Sequence, residues 1–341
     1  LGVVGESIEG WCTVVGHRQA GMVFTLKVSG QDASTSQDGT TGGGHDHAPA
    51  QANSAPLNTV VDPVAPAATE ETIHRVEMRV TELPLEVAPG VWQKRWTFNG
   101  GPVGPTLRGK VGDVFEVTLI NDGTIGHSID FHAGVLPPDD VMRSINPGES
   151  LVYEFTAQRA GIWLYHCSTA PMSVHLASGM HGAVIIDPPN LTAVDREYVV
   201  VQSEIYLGPE GGQTDAAKVA AKTPDLFAFN GIAFQYRDRP FTARPGERVR
   251  FWVLDAGPSE PMSFHAVGLQ FDQVFFEGAW TLGGPDRIGA AWSGGSQALG
   301  LHPAQGGFVE CVPPAAGTYT VVSHSFADME KGAMGHLVVA D

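Results

Sequence analysis

The chain has 341 residues, enough for two or more domains of ordinary size. Its 42 glycines, 24 prolines and 17% charged residues favour short strands joined by turns over long helices. A net charge of −17 argues against binding to nucleic acid or to anionic membranes, and no apolar run approaches the roughly 20 residues that cross a bilayer. We therefore expect a β protein without membrane insertion, and its 3 cysteines offer no disulfide framework.

The first 30 residues contain a set of soft-metal ligands. Cys12, His17 and Met22 have the spacing Cys-x4-His-x4-Met, and a strand-like run follows at 23–28. A thiolate, an imidazole and a thioether are the ligands of blue copper, and the segment resembles the last ligand loop and last strand of a cupredoxin. A complete site needs an upstream histidine, and none precedes Cys12. We predict that residues 1–30 are the C-terminal part of a cupredoxin domain, with a structural remnant as the alternative.

Residues 31–70 have the composition of a flexible linker. Ser, Thr, Gly, Ala, Pro and Asp dominate this stretch, and aromatic residues are almost absent. Within it, His45-Asp46-His47 offers two imidazoles around a carboxylate. A solvated histidine pair explains this motif better than a metal site does.

Residues 71–189 show the pattern of an antiparallel β domain. Three runs alternate apolar and polar residues, as half-buried strands do: 75–80, 114–120 and 151–155. Turn signals separate them, including Asn121-Asp122-Gly123 and Asn146-Pro147-Gly148. The pattern predicts a Greek-key sandwich.

One loop of this domain supplies three ligands for a metal. Cys167-x7-His175-x4-Met180 offers a thiolate, an imidazole and a thioether, and the upstream His127 can supply a second imidazole. Two histidines, a cysteine and a weak axial methionine form the ligand set of blue copper, which transfers single electrons.

Neighbouring residues indicate a second metal. Side chains alternate along a strand, so His166 faces away from the copper bound by Cys167. His127 and His132 are five positions apart, an odd offset, and so also face opposite ways, while Asp130 shares a face with His132. Asp130 is then a ligand or a proton relay for a molecule on the second metal; the alternative is a carboxylate that only orients His132.

Residues 190–341 repeat the pattern of the first domain. The segment 110–117 parallels 244–251, and 160–167 parallels 316–324. The chain therefore contains an internal duplication.

The second copy lacks the electron-transfer site but retains two histidines. Ser325 follows His324, and no cysteine lies in that loop. His265 takes the place that His132 has in the first copy. This pattern predicts that His265 and His324 serve the second copper from across an interface. Cys311 alternates within a strand-like run and is predicted to be a buried apolar residue.

Residues 72–341 resemble the copper-containing nitrite reductases, which have two cupredoxin domains per subunit. The resemblance implies type 1 copper ligands at His127, Cys167, His175 and Met180. It implies type 2 copper ligands at His132, His166 and His324, the last contributed by a neighbouring subunit of a homotrimer. Two coppers per subunit are expected.

The same resemblance implies the reaction. Asp130 and His265 fall on the catalytic residues of the family, and Val267 on an apolar residue that shapes the substrate pocket. Nitrite would be reduced to nitric oxide, as in denitrification, with the electron passing through the Cys167-His166 link. The electron comes from a donor protein or from a fused cupredoxin domain, of which residues 1–30 are expected to be a part.

Two alternatives share the fold. A laccase-like multicopper oxidase reduces oxygen at a cluster that requires paired His-x-His motifs, whereas Asp130 stands where one pair needs a histidine. A non-catalytic electron carrier explains Cys167 but leaves Asp130, His265 and His324 without a role. Copper chemistry leads us to expect an extracytoplasmic location, in the periplasm or at the cell surface of a bacterium or archaeon, although no signal-peptide pattern opens the chain.

Overall fold

The computed structural model describes residues 8–11, 23–26, 59–284 and 294–341. The chain forms two compact units, Leu1–His47 and Ala48–Asp341. Within the described ranges, no helix is long and apolar enough to span a membrane.

The first unit contains an antiparallel hairpin. Strand β1 (Ile8–Trp11) pairs with β2 (Val23–Leu26), and Trp11 lies opposite Val23. The predicted ligands Cys12, His17 and Met22 lie outside the described residues, as does the linker motif at 45–47.

The second unit begins with a sandwich of two four-stranded sheets. Its elements are β3 (Ile73–Ala88), β4 (Val91–Phe98), β5 (Leu107–Lys110), β6 (Val114–Asn121), β7 (Asp130–Phe131), α1 (Pro138–Val141), β8 (Ser150–Thr156), β9 (Gly161–His166), α2 (Met172–Ala177) and β10 (His181–Asp187). The sheet orders are β4-β3-β6-β8 and β5-β10-β9-β7. Alternate residues of β6 are buried, as predicted, because one face of the strand packs on the core. The strands predicted at 75–80, 114–120 and 151–155 are confirmed within β3, β6 and β8.

A second sandwich follows. Its elements are β11 (Arg196–Ile205), α3 (Ala216–Ala221), β12 (Leu226–Phe229), α4 (Gln235–Asp238), β13 (Arg239–Ala243), β14 (Val249–Gly257), β15 (Met262–Ala266), β16 (Gln273–Phe276), β17 (Ala279–Leu282), β18 (Leu299–Leu301), β19 (Gly306–Cys311), β20 (Gly317–Ser323), α5 (Phe326–Glu330) and β21 (Met334–Val339). The sheet orders are β12-β11-β14-β19-β16-β17 and β13-β21-β20-β15-β18. The predicted all-β fold with two tandem sandwiches is confirmed, while the limits 71–189 and 190–341 stay predictions.

One turn shows the internal duplication in detail. Asn99 and Asn230 each follow a phenylalanine, precede a glycine and adopt a left-handed conformation, with φ of 56° and 52°. The side-chain oxygen of Asn99 accepts from the amide of Arg79 at 2.6 Å, and that of Asn230 accepts from the amide of Val201 at 2.8 Å. In both copies the side-chain amide donates to the carbonyl two residues before that partner. Asparagine tolerates this conformation better than most residues do.

An apolar core joins the two sandwiches. Side chains of β9 and β10 pack against β11, β14 and β19, and the cluster includes Ile162, Leu164, Ala183, Ile185, Val199, Val201, Trp252, Leu254 and Phe308. Each large apolar side chain buried there contributes about 1.5–3 kcal/mol. The tip of the β3–β4 hairpin also packs on the second sandwich, where the amide of Ala233 donates to the carbonyl of Val87 at 2.8 Å.

Buried ion pairs cross the same boundary. Arg108 of β5 bonds Asp187 and Glu197, and Arg250 of β14 bonds Glu197 and Glu310. Because Glu197 pairs with an arginine from each sandwich, loss of its charge would leave each of the two buried guanidinium groups with one carboxylate partner instead of two.

Part of the predicted 31–70 linker is held by the second sandwich. Val64 pairs with Tyr198, and the amide of Ala65 donates to the carbonyl of Glu197 at 3.0 Å. The amide of Val61 donates to the Gln235 side chain at 2.9 Å. These hydrogen-bond partners are distant in sequence. Local composition does not reveal them, and it therefore indicated a linker here.

Candidate metal centres

The first cluster of donors lies at the end of β9. The Sγ atom of Cys167 is 3.3 Å from Nδ1 of His175 and 3.9 Å from Nδ1 of His127. All three side chains are buried. A metal bound at roughly 2.0 Å from nitrogen and 2.3 Å from sulfur requires N and S donors closer than about 4.3 Å. Both separations meet this condition, so the residues fit a single metal ion.

The loop that carries these donors is closed by backbone hydrogen bonds. The amide of Cys167 donates to the carbonyl of Met180 at 3.1 Å, and the amide of Met180 donates to the carbonyl of His175 at 3.3 Å. Met180 is fully buried in the core of the first sandwich. The amide of Ser128 donates to Sγ of Cys167 at 3.4 Å.

The environment of this cluster keeps its imidazoles neutral. Burial, followed by the nearby charge of His175, lowers the pKa of His127 to about 4. Burial also lowers the pKa of His175. The Trp96 ring covers both, with ring centroids 4.7 Å from His175 and 5.6 Å from His127. Neutral imidazoles are the form that binds a metal.

The second cluster contains two histidines and a carboxylate. The Nε2 atoms of His132 and His166 lie 3.1 Å apart, and Oδ2 of Asp130 is 3.9 Å from each. All three side chains are partly exposed. Burial and the neighbouring His166 lower the pKa of His132, and Asp130 opposes this shift. These three groups fit a metal ion that is open to solvent on one side.

The position of Asp130 bears on its predicted roles as a ligand, a proton relay or a group that orients His132. A carboxylate that only orients a ligand histidine bonds the ring nitrogen opposite the metal. Asp130 lies instead beside the Nε2 atoms, on the side where the two histidines converge. It therefore faces the metal position and any molecule bound there.

His166 is oriented by the residue that follows it. Its Nδ1 lies 2.9 Å from the carbonyl oxygen of Cys167. A carbonyl only accepts, so Nδ1 carries the proton and Nε2 presents a lone pair to the second cluster. The structure thus brings consecutive residues into different clusters, as strand alternation predicts. The extended segment before them is shorter than expected, because only Asp130–Phe131 forms strand between His127 and His132.

The second sandwich holds a separate pair of histidines. The rings of His265 and His324 are 5.3 Å apart, and Nδ1 of His265 donates to the carbonyl of Gln297. His324 is exposed and stacks near Phe326, which is 55% exposed, while Val267 is 48% exposed. Within the described part of one chain, neither histidine joins the cluster of Asp130, which contains only His132 and His166 besides.

The strand register corrects the predicted correspondence of His324. In the first sandwich His166 lies opposite His181, while in the second Val322 lies opposite Met334. The backbone bond from Cys167 to Met180 has its counterpart in a bond from Ser323. His324 therefore lies two residues beyond the position that matches His166.

His265 is displaced in the same way. It lies opposite Val322, as Asp130 lies opposite His166. His265 thus occupies the place of Asp130, and Val267 occupies the place of His132. The prediction that His265 replaces His132 is wrong, because aligning histidine with histidine ignored the strand pairing that sets the register.

Sequence reasoning missed two buried side chains near the first cluster. Arg95 is fully buried on β4, and His181 is fully buried immediately after Met180. Burial, with a smaller contribution from Arg95, lowers the pKa of His181 to about 3. The adjacency of His181 to Met180 was a visible signal, whereas nothing local distinguishes Arg95.

Comparisons with known proteins agree with this geometry. The family described as multicopper oxidase matches residues 79–191. A copper-containing nitrite reductase of Neisseria gonorrhoeae is 33% identical over 276 residues, which cover 78% of this chain and 68% of that protein. The chain belongs to the copper-containing nitrite reductase family.

Solved structures with a similar fold include a copper nitrite reductase and a multicopper oxidase. A copper nitrite reductase from Nitrosomonas europaea has a TM-score of 0.71 and 31% identity, covering 79% of this chain and 94% of that one. A multicopper oxidase has a TM-score of 0.67 and 27% identity, covering 82% of this chain and 94% of that one. The nitrite reductase resemblance of residues 72–341 is confirmed.

Proposed function

We propose that this chain reduces nitrite to nitric oxide with two copper ions per subunit. The type 1 ligands are His127, Cys167, His175 and Met180. The type 2 ligands are His132, His166 and His324 of the partner subunit. The observation that carries the proposal is that the consecutive residues His166 and Cys167 belong to two different donor clusters.

The donor sets differ in the way that the two roles require. The first cluster is buried and includes a soft thiolate, which suits a site that exchanges single electrons without binding substrate. The second consists of imidazoles and is partly exposed. Copper held there would offer an open position to an anion and would supply the electron that reduces it. Local positive charge at the metal also offsets the acidic character of the chain.

Asp130 handles protons in this proposal. Reduction of nitrite to nitric oxide consumes one electron and two protons and releases water. The carboxyl of Asp130 faces the space where His132 and His166 converge, so it hydrogen-bonds a nitrite oxygen and delivers a proton from Oδ2. His265 of the partner subunit resupplies that proton, and the exposed Val267 beside it shapes the pocket.

A homotrimer completes the second site. Two nitrogen donors in one chain leave a catalytic copper one protein ligand short of the usual three. His324 is exposed and lies beside His265 on a surface that includes Phe326 and Val267. Contact of this surface with the Asp130 cluster of a neighbouring subunit supplies the third imidazole and the second proton donor together.

An electron donor protein or the fused N-terminal cupredoxin segment feeds the type 1 site. The hairpin register of Trp11 with Val23 brings together the two ends that flank residues 12–22. His166 and His181 flank the ligand loop of the first sandwich in the same way. We further propose an extracytoplasmic location in a bacterium or archaeon, and a role in denitrification.

The multicopper oxidase alternative has the fold in its favour but not the site. Asp130 lies beside the two histidines where an oxidase cluster needs further imidazoles, and the described residues around it supply none. Copper content distinguishes the three candidate functions: two ions per subunit are expected for the reductase, four for an oxidase and one for an electron carrier. A complete N-terminal site adds one to each value.

The function is tested by nitric oxide production from nitrite under anaerobic conditions with an artificial one-electron donor. We expect turnover in the copper-loaded protein and its loss in His132→Ala and His324→Ala. His302→Ala, which removes an exposed histidine of the second sandwich, is the matched control and should retain full turnover. Absence of nitric oxide from fully loaded, reducible protein would overturn the proposal.

Subunit sharing has its own test. Co-expression of His132→Ala and His324→Ala chains should restore about a quarter of wild-type turnover, because one interface in four then combines an intact His132 with an intact His324. A site formed within one chain predicts no recovery, since every chain carries one defect.

A further inference from the structure

Arg95 carries a buried charge for which the proposed reaction gives no reason. Its side chain on β4 is fully buried, and it forms no ion pair with a carboxylate in the part of the chain that the structure describes. Its Nε and Nη2 atoms have no hydrogen-bond partner. Burying an unpaired guanidinium disfavours folding by several kcal/mol, so an apolar residue of similar size would stabilise the fold better.

The one bonded nitrogen of Arg95 links the second sandwich to the ligand loop. Nη1 donates to the carbonyl of Ala177 at 2.9 Å and to Oε1 of Gln93 at 2.7 Å. Nε2 of Gln93 then donates to the carbonyl of Tyr206 at 2.9 Å. Ala177 ends the short helix α2 that carries His175, so these bonds brace that helix against the other sandwich.

The loop before Met180 is shaped to lie on the guanidinium. Gly179 has φ of +114°, and a Cβ atom there would be 3.0 Å from both Nε and Nη2 of Arg95. The amide of Trp96 also donates to the carbonyl of Ser178 at 3.0 Å. Successive residues of the loop between His175 and Met180 are therefore held by β4.

The charge of Arg95 acts on this region. Burial lowers the pKa of Arg95 to about 10, so the group remains protonated at neutral pH. Its guanidinium contacts Ala177 and Gly179, which lie between the proposed ligands His175 and Met180. A buried positive charge with no carboxylate beside it is weakly screened and disfavours added positive charge nearby.

We propose that Arg95 is a positioning residue for the type 1 copper, holding the 175–180 loop in place and favouring Cu(I) over Cu(II) through its charge. The inference rests on the proposed type 1 site. It gives the second sandwich a part in the electron-transfer site, through Tyr206, Gln93 and Arg95.

A redox titration of the type 1 absorption band tests the proposal. Arg95→Met should shift the Cu(II)/Cu(I) equilibrium about tenfold toward Cu(II), which is about 59 mV for a one-electron couple. Arg95→Lys keeps the charge and should stay within about threefold of wild type. Arg79→Met removes an exposed charge from the same sandwich and should leave the equilibrium within about twofold, because solvent screens that group.

The outcomes are distinct. Equal shifts in Arg95→Lys and Arg95→Met would show that the charge is not the cause. An unshifted equilibrium in Arg95→Met, together with a lowered melting temperature of the copper-free protein, would show that Arg95 has only a structural role. If Arg95→Met does not fold, Arg95→Gln, which keeps a donor for Ala177, must show the same tenfold shift. Absence of the type 1 band from wild-type protein would refute the proposed function rather than this inference.

Discussion

The two sandwiches share an equivalent hairpin, but its connecting loop carries metal donors only in the first sandwich. In the first, β9 and β10 are joined by a loop that buries Cys167 and His175 beside His127. In the second, β20 and β21 are joined by a shorter loop in which Ser323 takes the place of Cys167. The strands, their register and the short helix between them are retained. The comparison teaches that the metal donors of the connecting loop can be lost while the strands keep the core.

The two sandwiches also differ near the ends of the equivalent strands β6 and β14. Asn121 in the first pairs with Val80, and Asp255 in the second pairs with Gln202 at the same point of the register. The Asn121 amide donates to the carbonyls of Ile125 and Ile145. Burial, together with the charges of Glu204 and Asp328, raises the pKa of Asp255 well above its usual range. The second sandwich, in which Ser323 takes the place of Cys167, therefore has a group of buried carboxyl side chains near the end of this strand.

The largest expected effect comes from removing the thiolate that distinguishes the first loop. Cys167→Ser should abolish the type 1 absorption band and lower nitrite turnover at least a hundredfold, roughly, because a hydroxyl is a poor ligand for Cu(I). Cys311→Ser is the matched control in the second sandwich, where burial raises the pKa of the thiol to about 12. It should retain the band, measured by visible absorption of copper-loaded protein. Loss of the band in both variants would count against a site specific to the first loop.

A second pair of substitutions addresses the equivalent positions Asp130 and His265. Asp130→Asn should retain type 2 copper and lower turnover by about 10²–10⁴, the usual contribution of a general acid. His265→Asn should also lower turnover while leaving copper content unchanged. Steady-state nitric oxide formation and metal analysis provide the measurements. Unchanged turnover in Asp130→Asn would refute its proton role.

The third prediction concerns the charge that binds the two sandwiches together. Glu197→Gln leaves Arg108 and Arg250 undercompensated and should lower the free energy of unfolding by about 3 kcal/mol, measured by urea denaturation. Glu247→Gln, whose partner Arg196 is partly exposed to solvent, should have a much smaller effect. Similar losses in both variants would mean that the buried network adds no special coupling.

The smallest effects are expected when Asp255 of β14 and Asn121 of β6, which occupy equivalent positions, are each replaced by the residue type of the other. The raised pKa of Asp255 means that the folded protein keeps a proton that the unfolded chain loses above about pH 4. Stability from this group is therefore present at low pH and is lost as pH rises. Asp255→Asn should raise the melting temperature of the copper-free protein by a few degrees at pH 8 and less at pH 5.

The converse substitution should have the opposite sign. Asn121→Asp removes a donor to two carbonyls and buries a carboxylate, which should cost about 2 kcal/mol at neutral pH. Thermal unfolding of the copper-free variant at pH 5 and 8 provides the check. A gain in stability from Asn121→Asp would show that the two strand ends are not comparable environments.

The sequence predicted features whose signal is local. The alternation at 114–120 identified β6, and the residue types around Cys167 indicated the donor groups that the structure brings together. The prediction that the side chains of His166 and Cys167 point in opposite directions followed from the alternation of side chains along a strand. Contacts set by distant residues could not be read in this way. Arg95 lies 82 residues from its partner Ala177, and no local pattern marks that bond.

The correspondence between copies failed for the same reason. His265 and His324 were aligned by residue type, whereas the position of His265 depends on its pairing with β20, and that of His324 on the pairing of β20 with β21. A shift of two residues preserves the facing of a side chain, so periodicity contains no warning of it. Pairing partners were needed to reveal it.

The adjacency of His166 and Cys167 has a mechanical consequence. Across one trans peptide the two Cα atoms are about 3.8 Å apart, and this spacing cannot change as loops move or subunits shift. Mutations elsewhere can alter the surroundings of each donor cluster, but they leave this backbone spacing unchanged. Only an insertion between these two residues would lengthen the backbone that joins the two donor clusters.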